Sequence, residues 1–171
     1  EITLYGATEE TYESVTGVAG SYSACRRGIR LLADAGVTFK LKAMLLTLNQ
    51  HELQDIERLA REFDVPFRFD ALVTPTLGGD LGPLKYRVDP QHAIDAEWSD
   101  PERAEGWLEY AESRHPTQRS DYLYKCGTGT TSFHIDAFGR LQPCMMVTNP
   151  SVDLTEVGFE SAWKSLAAVR D

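Results

Sequence analysis

The fold turns on two strand-like segments and the helix between them. They are Val37-Thr38-Phe39-Lys40-Leu41-Lys42-Ala43-Met44-Leu45-Leu46 and Val65-Pro66-Phe67-Arg68-Phe69-Asp70-Ala71-Leu72-Val73, with Gln50 to Phe63 joining them. Both outer pieces are rich in branched and aromatic residues and read as strands. In the middle piece Leu53, Ile56, Leu59, Ala60 and Phe63 recur at helical spacing with Glu and Arg between them, so a helix is expected, with Asn49 placed to cap it. A strand, a crossover helix and a second strand of one sheet connect right-handedly, which makes the two strands parallel.

Working toward the N-terminus, the plan repeats. Ile2 to Gly6 reads as a strand and Ser21 to Ala35 as a helix, with Ser21 as N-cap, Tyr22, Cys25, Ile29 and Leu32 on its apolar face, and Gly36 just past its end. The order β-α-β-α-β places the chain in the α/β class. Parallel strands covered on both faces are apolar throughout, yet here each has one polar side: Thr3 and Tyr5, Lys40 and Lys42, Arg68 and Asp70. Such a face is either solvated or the lumen of an open barrel that holds a polar ligand, and the expectation is the second, a partial (β/α) barrel of three parallel strands. Closure takes about six to eight strands. Glu1 also leads straight into a strand without a cap or loop, so the sequence is expected to be a piece of a longer chain.

Toward the C-terminus, Pro75, Gly78, Gly79, Gly82 and Pro83 mark a loop-rich passage that ends the barrel portion. Gly78-Gly79-Asp80 has no phosphate-loop spacing and reads as a turn. Pro90 to Trp98 and Pro101 to His115 read as connecting helices, each with Pro in its first turn. From Asp121 onward the pattern changes to a β-hairpin: Ser132 to Asp136, a turn through Ala137-Phe138-Gly139, and Arg140 to Cys144, with Gly139 suited to the left-handed position of a bulged turn. Phe159, Trp163, Leu166 and Val169 form a last amphipathic segment. The expected domains are residues 1–88, a connecting segment 89–120, and a small α+β region 121–171.

Composition excludes several classes. The 171 residues carry a formal charge of −9, which argues against a phosphate-tracking surface and against nucleic acid as a partner. No apolar run reaches the length of a membrane span and no signal-like segment opens the sequence, so a cytoplasmic protein without membrane association is expected. His51, His92, His115 and His134 form no metalloprotease spacing, and no Gly-x-Ser-x-Gly elbow is present.

Three cysteines are too few and too odd a set for a disulfide-stapled domain. Cys126 and Cys144 flank the hairpin as Cys126-x12-Gly139-x4-Cys144, so strand pairing can bring both thiols to one end as half of a metal site. Buried free thiols or an adventitious pair give the same spacing. Cys25 lies on an apolar helix face with Ile29 and Leu32 and reads as a core thiol. On the polar face, Lys42 is placed to meet a carboxylate and Arg68 with Asp70 to orient a peptide; an internal Lys/Asp/Arg ion-pair network is the alternative.

Tyr124-Lys125-Cys126-Gly127, followed by Phe133-His134-Ile135-Asp136, Gly139 and Leu141-Gln142-Pro143-Cys144, resembles the opening of a SPASM or twitch domain of the radical S-adenosylmethionine (SAM) enzymes. Thr3-Leu4-Tyr5-Gly6-Ala7-Thr8, with Thr11 to Gly17 and Gly20-Ser21, is similar to the fourth barrel strand and following helix of radical SAM peptide maturases, and Asn49 before Glu52-Leu53 fits the segment after the fifth. The resemblance implies the late strands of a SAM barrel followed by the start of an auxiliary iron–sulfur domain. It implies Cys126 and Cys144 as ligands of an auxiliary [4Fe–4S] cluster, and Thr3, Tyr5 and Thr16 as contacts of S-adenosylmethionine, whose carboxylate, or that of the substrate, the inward Lys42 is placed to meet. It also implies a peptide or similar small substrate, a peptide-recognition partner protein, and hydrogen abstraction by a 5′-deoxyadenosyl radical.

The sequence departs from that family's pattern. It contains no Cys-x3-Cys-x2-Cys for the SAM-cleaving cluster, no Gly-Gly-Glu strand and no downstream cysteine group, and Thr3-x-Tyr5-Gly6 stands where many relatives have Ser-x-Asp-Gly. The chain by itself is therefore expected to lack SAM-cleaving activity. The alternatives are a non-catalytic α/β ligand-binding module and an interaction protein with zinc at the hairpin.

Overall fold

A computed structural model describes residues 1–113 and 126–166. The chain divides into two units, Glu1–Trp107 and Leu108–Asp171.

The first unit is built on a parallel sheet of β1 (Ile2–Leu4), β2 (Leu41–Met44) and β3 (Phe67–Asp70), in that order. Ile2, Leu41 and Phe67 stand side by side, as do Leu4, Ala43 and Phe69. Because side chains alternate along a strand, these rows share one face, and that face makes the core. Leu4 and Leu41 are fully buried there with Ile29 and Ile56. Each such side chain contributes about 2–3 kcal/mol by leaving water.

Helices α1 (Glu9–Thr16) and α2 (Ser21–Asp34) follow β1, and α3 (Leu53–Glu62) joins β2 to β3. The α1 helix has no counterpart in the expected order of elements, although its signals are present: Thr8 accepts the Thr11 N–H as N-cap, Glu9 and Glu10 fill the first turn, and Gly17 ends it at φ 68°. The N-cap of α2 is Gly20 rather than Ser21, whose hydroxyl is bonded to Thr16 instead. Asn49 does not cap α3 with its side chain, and a 3₁₀ turn over Gln50–Glu52 intervenes. Leu53, Ile56 and Ala60 bury the inner stripe of α3 as the spacing predicts. Beyond β3 come α4 (Pro90–Trp98), capped by Asp89, and α5 (Pro101–Ser113), whose expected extension to His115 lies outside the described residues.

The second unit holds an antiparallel sheet of β4 (His134–Ile135), β5 (Arg140–Gln142) and β6 (Val152–Asp153), with α6 (Phe159–Ser165) after it. The hairpin forms at the expected place but is shorter, and β6 is an addition to it. Asp136 organises its turn by accepting the N–H groups of Phe138 and Arg140, and Gly139 has φ 79°. Leu141, Ala162 and Leu166 form a small separate core. Val169 and the segment Tyr122 to Lys125 lie outside the described residues.

The architecture is thus mixed α/β with an open three-stranded parallel sheet. Among the described residues no helix is long and apolar enough to cross a membrane.

Candidate functional site

Opposite the core face, the register sets Thr3, Lys42 and Arg68 in one row across all three strands. Thr3 and Lys42 are half-buried and Arg68 is exposed. Arg68 Nε and Nη2 donate to the two carboxylate oxygens of Glu1 at 2.8 and 2.9 Å. Glu1 stands just ahead of β1 and Arg68 in β3, outer strands about 9–10 Å apart, so the ion pair reaches across β2 on the side where Lys42 projects. The Arg68 hydrogen bonds, aided by the charges of Arg68 and Lys42, hold the Glu1 carboxyl at about 2. Asp70 does not pair with Arg68; its carboxylate accepts the Leu72 N–H at 2.8 Å.

At the carboxyl edge of the sheet, where α/β folds bind ligands, the backbone is held by two buried polar side chains from the β2–α3 connection. Asn49 donates from Nδ2 to the carbonyls of Tyr5 and Met44, both at 2.9 Å, and accepts the Leu46 N–H at 2.8 Å. It therefore ties the end of β1 to the end of β2. Glu52 Oε2 accepts the N–H groups of Ala7 and Thr8 at 2.7 and 3.2 Å, while Oε1 accepts the hydroxyls of Thr8 and Thr11 at 2.6 and 2.7 Å. Burial opposes ionisation of this carboxyl, yet the hydrogen bonds from Thr8, Thr11 and Ala7 outweigh it and hold it below the usual carboxylate range.

Gly6 lets this edge close: a Cβ there would stand 2.5 Å from the Tyr12 backbone nitrogen. The half-buried Tyr5 ring sits edge-on to Tyr12, with centroids 5.8 Å apart. Burial and the neighbouring Cys25 thiol push the Tyr12 phenol upward. Cys25 itself packs against the core.

Of the residues expected to contact a cofactor, the structure brings Thr3 and Lys42 together and puts Tyr5 just beyond the same strand. Thr16 lies at the far end of α1, where its hydroxyl bonds Ser21 at 2.8 Å and accepts the Val18 N–H.

The second unit carries the two cysteines that flank the hairpin in sequence. Cys126 and Cys144 are free, Cys126 is exposed, and the Gly129 N–H donates to the Pro143 carbonyl, joining the Cys126 loop to the residue before Cys144. Cys126 Sγ lies 2.8 Å from Thr128 Oγ1, and this contact, with the Thr128 backbone, lowers the Cys126 thiol. Cys144 Sγ accepts the Met146 N–H at 3.1 Å. Such donors stabilise the thiolate form whether or not a metal is bound. As a complete cluster site the arrangement does not fit, because no three His, Cys, Asp or Glu side chains gather to hold a metal among the described residues.

Comparison with family models, with curated proteins and with solved structures finds no match.

The residues that sequence reasoning passed over are Glu1 and Glu52. Glu52 left a usable signal: an acidic residue next to the apolar Leu53, on the face that α3 buries, needs partners, and Thr8 and Thr11 at the start of α1 are suitable ones.

Proposed function

We propose that the chain is part of a radical SAM enzyme that modifies a peptide, with residues 1–88 forming the substrate-side wall of a partial barrel and residues 121–171 opening a SPASM or twitch domain. The observation that carries this is the polar row Thr3, Lys42 and Arg68 on a parallel sheet whose opposite face packs into the core. A sheet that spends one face on charged groups has reason to do so if that face lines a ligand cavity. The two free thiols beside the Gly139 hairpin add support.

In this proposal Thr3, Tyr5 and Lys42 bind and orient ligand, Asn49 and Glu52 hold the edge that carries them, and Cys126 with Cys144 supplies part of an auxiliary cluster. SAM cleavage is assigned to residues outside this sequence, which has no Cys-x3-Cys-x2-Cys. The setting in this proposal is cytoplasmic, with a peptide or small molecule as substrate and a peptide-recognition protein as companion.

A second reading, a non-catalytic α/β binding module, is favoured by the local satisfaction of both sulfurs, by Thr128 and by the Met146 N–H. Anaerobic reconstitution of the full gene product with iron and sulfide separates the two. The enzyme reading expects visible charge-transfer absorbance and an iron content that falls when Cys126→Ala and Cys144→Ala are combined. An unchanged spectrum and iron content in that double variant removes the auxiliary cluster.

A further inference from the structure

We propose that Lys42 and Arg68 together bind the carboxylate of an acidic residue in an extended peptide, and that Glu1 occupies this position in the free protein. This rests on the substrate-wall reading above and adds to it the chemical group that the wall selects.

The local charge is unusual for this chain. The molecule is acidic, at −9, yet Lys42 and Arg68, with Lys40 just ahead of β2, outnumber Glu1 and Asp70 on one short sheet face. Lys42 is half-buried, and among the described residues its ammonium has no hydrogen bond or ion pair. Its charge already acts on the Glu1 carboxyl, so the ammonium is placed to meet a carboxylate at that position.

The Glu1–Arg68 contact shows what fits. A guanidinium edge meets both oxygens of a carboxylate at 2.8 and 2.9 Å, so a carboxylate fits the planar fork at this place. Phosphate sites commonly add backbone N–H groups at helix starts or nests, and this row lies on the face of a parallel ladder rather than at a helix start. Both partners of the ion pair are accessible, with 52% and 34% of their side-chain surface exposed, so the Glu1 carboxylate is free to leave. Replacing it with a ligand carboxylate exchanges one ion pair for another and keeps the newcomer within the field of Lys42.

The test is an amide-detected NMR titration of the protein with the capped peptide acetyl-Gly-Glu-Gly-amide, its Gln counterpart and inorganic phosphate. Saturable shifts at Thr3, Lys42 and Arg68 are expected with the Glu peptide alone. Removing the internal competitor with Glu1→Gln should tighten binding, and Lys42→Met should weaken it, each by about fivefold, the scale of one exposed charge pair. The gain in Glu1→Gln cannot come from unfolding. Absence of shifts, an equal response to the Gln peptide or phosphate, or unchanged affinity in both variants overturns the proposal. Loss of peptide binding with cluster formation intact removes the carboxylate site alone; binding without any cluster removes the enzyme reading alone.

Discussion

Glu52 grips Thr8 at two atoms: one carboxylate oxygen accepts the Thr8 hydroxyl at 2.6 Å and the other its backbone N–H at 3.2 Å, across 44 residues of sequence. A side chain from the β2–α3 connection thereby supplies the negative charge at the start of α1, and the edge of β1 is fixed from outside its own helix. Truncation should be costly and the amide tolerable. Glu52→Ala should lower the stability of the first unit by about 2–3 kcal/mol, since it strands donors that were paired with a charge. Glu52→Gln should cost less, because its oxygen can face the Ala7 and Thr8 N–H groups while its NH₂ donates to the threonine hydroxyls. Urea unfolding of the two variants, followed by fluorescence, gives the order.

The same contact predicts an acid dependence. The folded pKa of Glu52 lies below that of the unfolded chain, so its contribution is fully present above the unfolded value of about 4.3. It is lost as pH falls through the folded value. Wild type should therefore lose stability in this acid range, and Glu52→Gln should lose less over the same interval. Parallel slopes for the two proteins would exclude Glu52 as a source.

Much of this was legible in the sequence, and the remainder shows what local pattern does not carry. Leu53, Ile56 and Ala60 announced α3 because helical periodicity is a local signal, and Gly139 announced the hairpin turn because only a few residues accept its backbone conformation. Asn49 looked like an N-cap because Asn before an apolar periodic run usually is one; its actual partners, Tyr5 and Met44, include a strand 44 residues away. The Glu1–Arg68 pair escaped for the same reason: alternation tells which face a residue occupies, but not which charge on that face will reach it. Side-chain pairing at long sequence separation depends on register, and register becomes visible only when the strands are assembled.

Asn49 offers a sharper contrast between isosteres. Its Nδ2 donates to two carbonyls in a fully buried position, and a carboxylate there would turn an acceptor toward both. Asn49→Ala should cost about 3 kcal/mol through unpaired backbone groups, and Asn49→Asp should cost more at neutral pH. Burial raises the pKa of the introduced carboxyl, and its protonated form can donate one hydrogen bond. Asn49→Asp should accordingly regain stability relative to Asn49→Ala as pH falls toward 5, which paired denaturation curves at two pH values would show.

Gly6 is constrained by space rather than by backbone angle. A methyl group would meet the Tyr12 nitrogen at 2.5 Å and the Thr11 carbonyl carbon at 3.0 Å, both main-chain atoms of α1. Nothing flexible can yield there, so Gly6→Ala should displace the helix start and cost about 2–3 kcal/mol. Its amide spectrum should change at Thr8, Thr11 and Glu52, while the second unit stays as it is.

The thiols should separate by reactivity. Cys126 is exposed and its pKa is lowered by Thr128, whereas Cys25 is packed against the core. Alkylation by iodoacetamide at neutral pH, read by mass spectrometry, should label Cys126 first, Cys144 next and Cys25 last, because the thiolate is the nucleophile and access limits the rest. Thr128→Val removes the hydroxyl beside Cys126 Sγ while keeping a branched side chain. The Cys126 thiol should then titrate higher, and its labelling should slow at neutral pH but not well above the thiol pKa, where every copy is already ionised. An equal loss of rate at both pH values would mean that Thr128 governs access to Cys126 rather than its charge.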